Sequence, residues 1–258
     1  MGLSANVATV RALIRRARNE IIRVPGAAIP GVLAPTIFFL GLTAVFGKLT
    51  LLPGFTTDAY QNFLIPVSML QGAGFTGAAT GVNLARDIEQ GWFDRLIVSP
   101  ASRPALLAGL VFSASLRALI PACVLLGVGF AIGVDWPGID GLVIAIVCVM
   151  ATGAIAACWG VWLALRYRTQ SAAPLMQSGM FILVLTTTAY APIALLQGWL
   201  ADIARINPLT KVVEAARLGF AGDPITFADV WPAVAALTGL LALLGGLALR
   251  RMNRAADE

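Results

Sequence analysis

Histidine does not occur anywhere in this 258-residue sequence. Its absence removes the commonest general base and the commonest metal ligand together. Charge is scarce as well: Asp, Glu, Lys and Arg make up 12% of the chain, where a water-soluble domain carries about a quarter. The three cysteines, Cys123, Cys148 and Cys158, all fall inside apolar runs, where they act as small hydrophobes and imply no disulfide framework. A phosphate-cradling loop is missing too. Gly47-Lys48 is followed by Leu49 and has Leu42 where the first loop glycine belongs, so the chain supplies no nucleotide site of its own. No Asp or Glu interrupts any long apolar run. An ion-coupled secondary transporter would normally place a carboxylate there, and an integral membrane enzyme would need acid–base groups. Both remain as alternatives, each without its usual equipment.

What is present is apolar. Hydrophobic residues reach 59% and the mean hydropathy is +0.85, more than a water-soluble fold can bury. A span needs about 20 apolar residues. The uncharged runs therefore predict an all-α polytopic membrane protein with six transmembrane helices, at about 27–47, 60–85, 105–134, 141–165, 170–192 and 230–249. The whole chain, 1–258, reads as one membrane domain. The fifth run outlasts a single crossing, and Pro174 and Pro192 predict a kink or a re-entrant stretch around 190–205. A helical segment at 195–222 then precedes the sixth span.

Net charge is +5 and the sequence pI near 9.6, yet the basic residues flank apolar runs instead of forming one patch, so no nucleic-acid partner is implied. They read as topology signals. Arg11, Arg15, Arg16, Arg18, Arg23, Arg86, Arg95, Arg103, Arg166, Arg168, Arg250, Arg251 and Arg254 lie in segments on one side, against Lys48, Arg205, Lys211 and Arg217 on the other. Thirteen against four places both termini in the cytoplasm. Arginine outnumbers lysine sixteen to two, which with the abundant alanine points to a GC-rich bacterial genome and hence to a bacterial inner membrane. Residues 1–24 read as an amphipathic interfacial helix, with Leu3, Val7, Val10, Ile14, Ala17 and Ile21 on one face.

Residues 86–103 form an unusual connection. Ile88, Trp92 and Leu96 share a helical face, with Phe93 and Ile97 beside it, and Pro100 ends the pattern. A short cytoplasmic helix of this design could dock in a partner's groove or lie in the headgroup layer. The succession Glu89, Gly91, Arg95-Leu96, Ser99-Pro100 and Arg103 resembles the cytoplasmic signature of type-2 ABC exporter permeases, in particular the daunorubicin-resistance branch. That resemblance extends over nearly the whole chain.

The resemblance implies a permease that pairs with a second one, identical or paralogous, and with two separate ATPase subunits that use ATP and Mg while this chain binds no cofactor. It implies that Glu89, Gly91, Trp92, Phe93, Arg95, Leu96, Pro100 and Arg103 couple to those ATPases. The cargo implied is a hydrophobic drug, a lipid or a lipid-linked molecule. A second element, Asn207-Pro208 through Glu214 to Arg217, reads as a capped helix with one apolar face. In the resembled family it lies near the outer leaflet, where cargo leaves. Arg117 is the one charge within an apolar run and a candidate for the cargo path. Counting about 1.5 Å per residue back from Asp135 places it near the inner boundary, able to snorkel or to meet an anionic lipid headgroup. The pairs Gly77/Gly81 and Gly129/Gly133 predict close helix packing, and Trp92, Trp136, Trp199 and Trp231 belt positions.

Overall fold

The structure, a computed structural model, describes residues 9–16, 19, 29–52, 55, 57–93, 102–222 and 224–254. Among these the regular structure is entirely helical. Helix α1 covers residues 9–16, followed by α2 (Ile29–Phe46), α3 (Tyr60–Glu89), α4 (Arg103–Ala131), α5 (Gly138–Tyr167), α6 (Ala173–Leu185), α7 (Gly198–Ile206), α8 (Pro208–Ala221) and α9 (Phe227–Arg254). Short 3-10 turns at Gly47–Leu51, Gln170–Ala172 and Ile193–Leu195 join some of them.

Four helices are long and apolar enough to cross a bilayer: Gly31–Leu51, Arg103–Ala131, Gly138–Tyr167 and Phe227–Arg254. Their outward faces carry Ile37, Val45, Val143, Val147, Val234 and Leu243, all exposed. Exposed aliphatic side chains suit a lipid solvent, in which apolar surface needs no cover. Helix α3 is different. At 30 residues it is about 45 Å long, but Asn62, Ser68, Gln71 and Thr80 interrupt its apolar character. It packs against α2, α4, α5, α6 and α8 as the hub of the bundle, so these polar groups are buried in protein and not in lipid.

Close approach of α3 to α5 depends on small residues. A β-carbon at Gly77 would overlap the Gly153 carbonyl and Ala156, and one at Gly81 would overlap Gly160. The 77/81 pair thus serves packing within the chain. Gly129 meets Ile65 and Val134, while Gly133, at φ +91°, helps turn the chain out of α4.

The contacts sort the connections into two ends. Tyr60 at the start of α3 meets the 186–192 segment and Asn62 meets Asp135 beyond α4. At the opposite end Glu89 meets the α5–α6 connection, Asp87 meets α1, and Arg103 meets Asn253 of α9. The segments whose arginines oppose the four other basic residues are therefore gathered at one end of the bundle.

Two sequence expectations need correction. The stretch 86–103 is not one helix: residues 86–89 continue α3, which closes where Gln90 N–H donates to Arg86 O and Gly91 adopts φ +69°, and Arg103 already opens α4. The amphipathic period runs through this boundary unchanged, so periodicity could not mark it. The fifth span at 170–192 is not a continuous helix either. Helix α6 stops at Leu185 after 13 residues, about 20 Å. Thr186 and Thr187 turn their hydroxyls onto the carbonyls of Ile182 and Val184, which ends the helix locally. Of the N-terminal helix at 1–24, residues 1–8, 17–18 and 20–24 lie outside the described residues.

Candidate functional site

The connection-rich end is organised by the last turn of α3. Glu89 Oε1 accepts from Thr169 Oγ1 and from the Gln170 backbone N–H, both at 2.8 Å, and its Oε2 accepts from Gln170 Nε2 at 2.5 Å. The site is exposed, but these donors favour the charged carboxylate, and hydrogen bonds from Gln170 and then Thr169 hold its pKa below the ordinary value. Arg86 Nε donates to Gln170 Oε1 at 3.3 Å, completing the ring. Arg168, which closes α5 in the left-handed region at φ +56°, turns the chain so that Thr169 and Gln170 face Glu89.

Two residues earlier, both carboxylate oxygens of Asp87 accept from Arg16 Nη2, at 2.7 and 2.8 Å. The same guanidinium lies 4.5 Å from the centre of the Trp92 ring, within cation–π range. Leu13, on the same face of α1, is buried against Gly109 of α4, where any side chain would collide with it. Helix α1 is thus docked on the bundle through Leu13 and Arg16. Phe93 is buried beside Leu13, Leu84, Leu106 and Leu107, and Trp92 stays 45% exposed. Arg103 Nη1 donates to Asn253 O at 3.4 Å, tying α4 to the end of α9. Arg95, Leu96 and Pro100 lie outside the described residues.

Arg117 is the middle residue of α4 and not near either end. Its Nη2 donates to Thr80 Oγ1 at 2.7 Å. A crevice of about 30 Å³ lined by Arg117, Thr80, Asn83, Ser113, Asp87 and Arg16 runs from this point towards α1. That is room for one or two water molecules, so polar surroundings reach Arg117 from within the bundle.

The opposite end holds a buried polar lock. Arg217 is only 7% exposed. Its Nε donates to Phe63 O at 2.9 Å and its Nη2 to Thr188 O at 3.0 Å and Ala189 O at 3.4 Å. The guanidinium also lies 3.5 Å from the centre of the Phe63 ring. Tyr60 donates to Tyr190 O, and Gln71 to the Tyr190 hydroxyl. Irregular backbone inside a membrane bundle must have its carbonyls satisfied by protein, and residues 188–190 obtain this from Arg217 and Tyr60. Asn207 caps α8 by accepting from Leu209 N–H at 2.9 Å, with Pro208 in the first turn. Its Nδ2 donates to Leu183 O and Thr186 Oγ1, closing α6 as well. Glu214 pairs with Lys211 at 2.9 Å on the exposed side of α8.

The structure therefore joins Glu89, Trp92 and Phe93 to one end and Asn207, Pro208 and Arg217 to the other, with Arg117 between. Sequence reasoning missed Arg16, Asp87, Thr169 and Gln170 at the first end and Tyr60, Gln71 and Tyr190 at the second. No linear signal marks them, because each bonds a residue 70 or more positions away.

The profile of the family described as ABC-2 type transporter matches residues 8–221, which include both ends but not α9. The chain is 26% identical over 243 residues to the daunorubicin resistance ABC transporter permease protein DrrB1 of Streptomyces coeruleorubidus, covering 91% of this chain and 82% of that one. It is 25% identical over 224 residues to the probable doxorubicin resistance ABC transporter permease protein DrrC of Mycobacterium tuberculosis, covering 84% and 76%. A putative transport permease, ycf38 of Cyanophora paradoxa, is 26% identical over 214 residues, covering 80% and 71%.

Proposed function

This chain belongs to the ABC-2 type transporter family, and we propose that it is the membrane-spanning permease subunit of an ATP-driven exporter of hydrophobic drugs, lipids or lipid-linked molecules. Two copies, or this chain and a paralogue, pair in the membrane with two ATPase subunits. Those subunits bind ATP and Mg, while this chain contributes the path. Its relatives named for daunorubicin and doxorubicin resistance support a hydrophobic cargo, as do spans free of carboxylates. Six crossings follow if α3 and the broken α6 segment also traverse the bilayer, and the gathering of basic segments at one end supports a cytoplasmic position for it.

One observation carries the reading: the end of α3 is fastened to two other elements, by Glu89 to the α5–α6 connection and by Asp87 to α1. An ATPase gripping the connection after Gly91 would move these elements together. Because α3 is the hub, that movement would reach the Arg217 lock about 40 Å away along the helix, where the unwound 186–192 segment offers a place to open.

Purification of the full chain from its own cells tests the partnership, since an ABC ATPase should accompany it in stoichiometric amount. In the reconstituted complex, Glu89→Ala should leave assembly and ATP hydrolysis in place and lower export several-fold. Recovery of the chain without any ATPase, or export untouched by that substitution, would remove the proposal.

A further inference from the structure

Helix α9, which lies beyond the part of the chain matched by the family profile, ends in a groove that the transport reading does not use. Trp162 of α5 and Leu247, Arg250, Arg251 and Arg254 of α9 line an open groove of about 240 Å³. Positions 247, 250, 251 and 254 recur on one face of the helix, while Ala248 and Met252 turn the other way and are buried. Among the described residues, none that lines the groove is acidic. Among the described residues, Arg250, Arg251 and Arg254 take part in no ion pair.

The preference for arginine at the inner end of a span explains why such residues occur there, but it asks for no common face and no aromatic wall. Here both are present. Trp162 is half-buried and tilted against Trp159, with ring centres 5.5 Å apart, which fixes it as a flat apolar side to the groove. Guanidinium groups form forked hydrogen bonds to phosphate oxygens. Pockets for drug-sized ligands run from about 300 to 1,000 Å³, so this one suits a headgroup better than a cargo molecule. Because α9 is an apolar candidate span, its arginine-bearing end falls at the level of the lipid headgroups.

The geometry points to a binding site for a phosphate-bearing anion, the headgroup of an acidic phospholipid, held by Arg250, Arg251 and Arg254 against Trp162. Arg103, bonded to Asn253 O, links this end of α9 to the start of α4, so a bound lipid would brace α4, α5 and α9 together. The inference needs only that α9 lies in a bilayer. Failure of ATPase docking would leave it standing, and its own failure would leave the exporter reading intact.

Native mass spectrometry of the full chain in detergent, with phosphatidylglycerol and phosphatidylcholine supplied in equal amounts, tests it. The wild type should retain phosphatidylglycerol at least ten-fold in preference. Each arginine replaced by glutamine should weaken that retention about five-fold. R250K/R251K/R254K, which keeps the charge, should retain more lipid than R250Q/R251Q/R254Q, and R205Q at the other end should match wild type. Equal retention of the two lipids, or retention unchanged in the triple glutamine variant, overturns the site. A second arm adds millimolar inorganic phosphate: an undisturbed lipid adduct supports the assignment, while displacement by phosphate assigns the groove to a soluble anion and overturns the lipid.

Discussion

Arg217 is bonded to three carbonyl oxygens and an aromatic face, an arrangement in which each lost donor orphans a buried acceptor. An unsatisfied buried carbonyl costs about 1–3 kcal/mol, and two of these belong to backbone that no helix satisfies. Arg217→Gln should therefore lower the stability of the detergent-solubilised protein by about 2–4 kcal/mol, read as a drop in the thermal unfolding midpoint; an unchanged midpoint would show that the lock is dispensable. Glu89 behaves differently because it is exposed. Its carboxylate is held below its ordinary pKa of 4.5 by donors from Gln170 and Thr169. A lowered folded-state pKa means that the stabilising contribution is complete above the ordinary value and lost as pH falls through the folded one. Cross-linking between cysteines at positions 89 and 170 is not the right probe, since it removes the carboxylate. Protease accessibility of the α5–α6 connection should instead stay constant across neutral pH and rise only in acid below about pH 4.5. Glu89→Ala should show the acid pattern at neutral pH.

At the scale of elements, the contact between α3 and α5 is made by glycines whose backbones touch. Gly81→Leu would drive a side chain into Gly160 and should destabilise by several kcal/mol or prevent insertion, since overpacking alone costs about 1–3 kcal/mol. Gly239→Leu on α9, where a β-carbon meets nothing within 4 Å, is the matched control and should be neutral. Folded yield and unfolding midpoints of the pair check this, and equal behaviour would refute close α3–α5 packing. Helix α6 shows the limit of reading length alone. Its apolar run continues past Leu185, yet Thr186, Thr187 and the Asn207 amide take over the carbonyls at its end.

For the whole molecule, the arrangement predicts sidedness. In a background with Cys123, Cys148 and Cys158 replaced by alanine, Asn253→Cys should resist a membrane-impermeant maleimide in intact cells, and Asp202→Cys should react. The reverse labelling would invert the topology, and labelling of both would break the separation of the two ends. Hydropathy made the four strongest spans and the basic end legible, because both depend only on composition along the chain. It also predicted a span at α3, which is not among the four, and the central position of α3 is what lets it hold Asn62, Gln71 and Thr80.

Composition and spacing by themselves determined an apolar helical chain without a nucleotide loop or histidine chemistry, with Asn207-Pro208 beginning a helix and Gly77/Gly81 packing closely. These are local or periodic properties. Tertiary structure alone decided that Arg16 clamps Asp87, that Glu89 is bonded to Thr169 and Gln170, and that Arg217 supports an unwound segment of backbone. The physical reason is that hydrogen bonds and ion pairs act over about 3 Å in space whatever their separation in sequence. The same holds for the arginines of α9: a sequence shows them as a charged end, and only the fold sets Trp162 beside them.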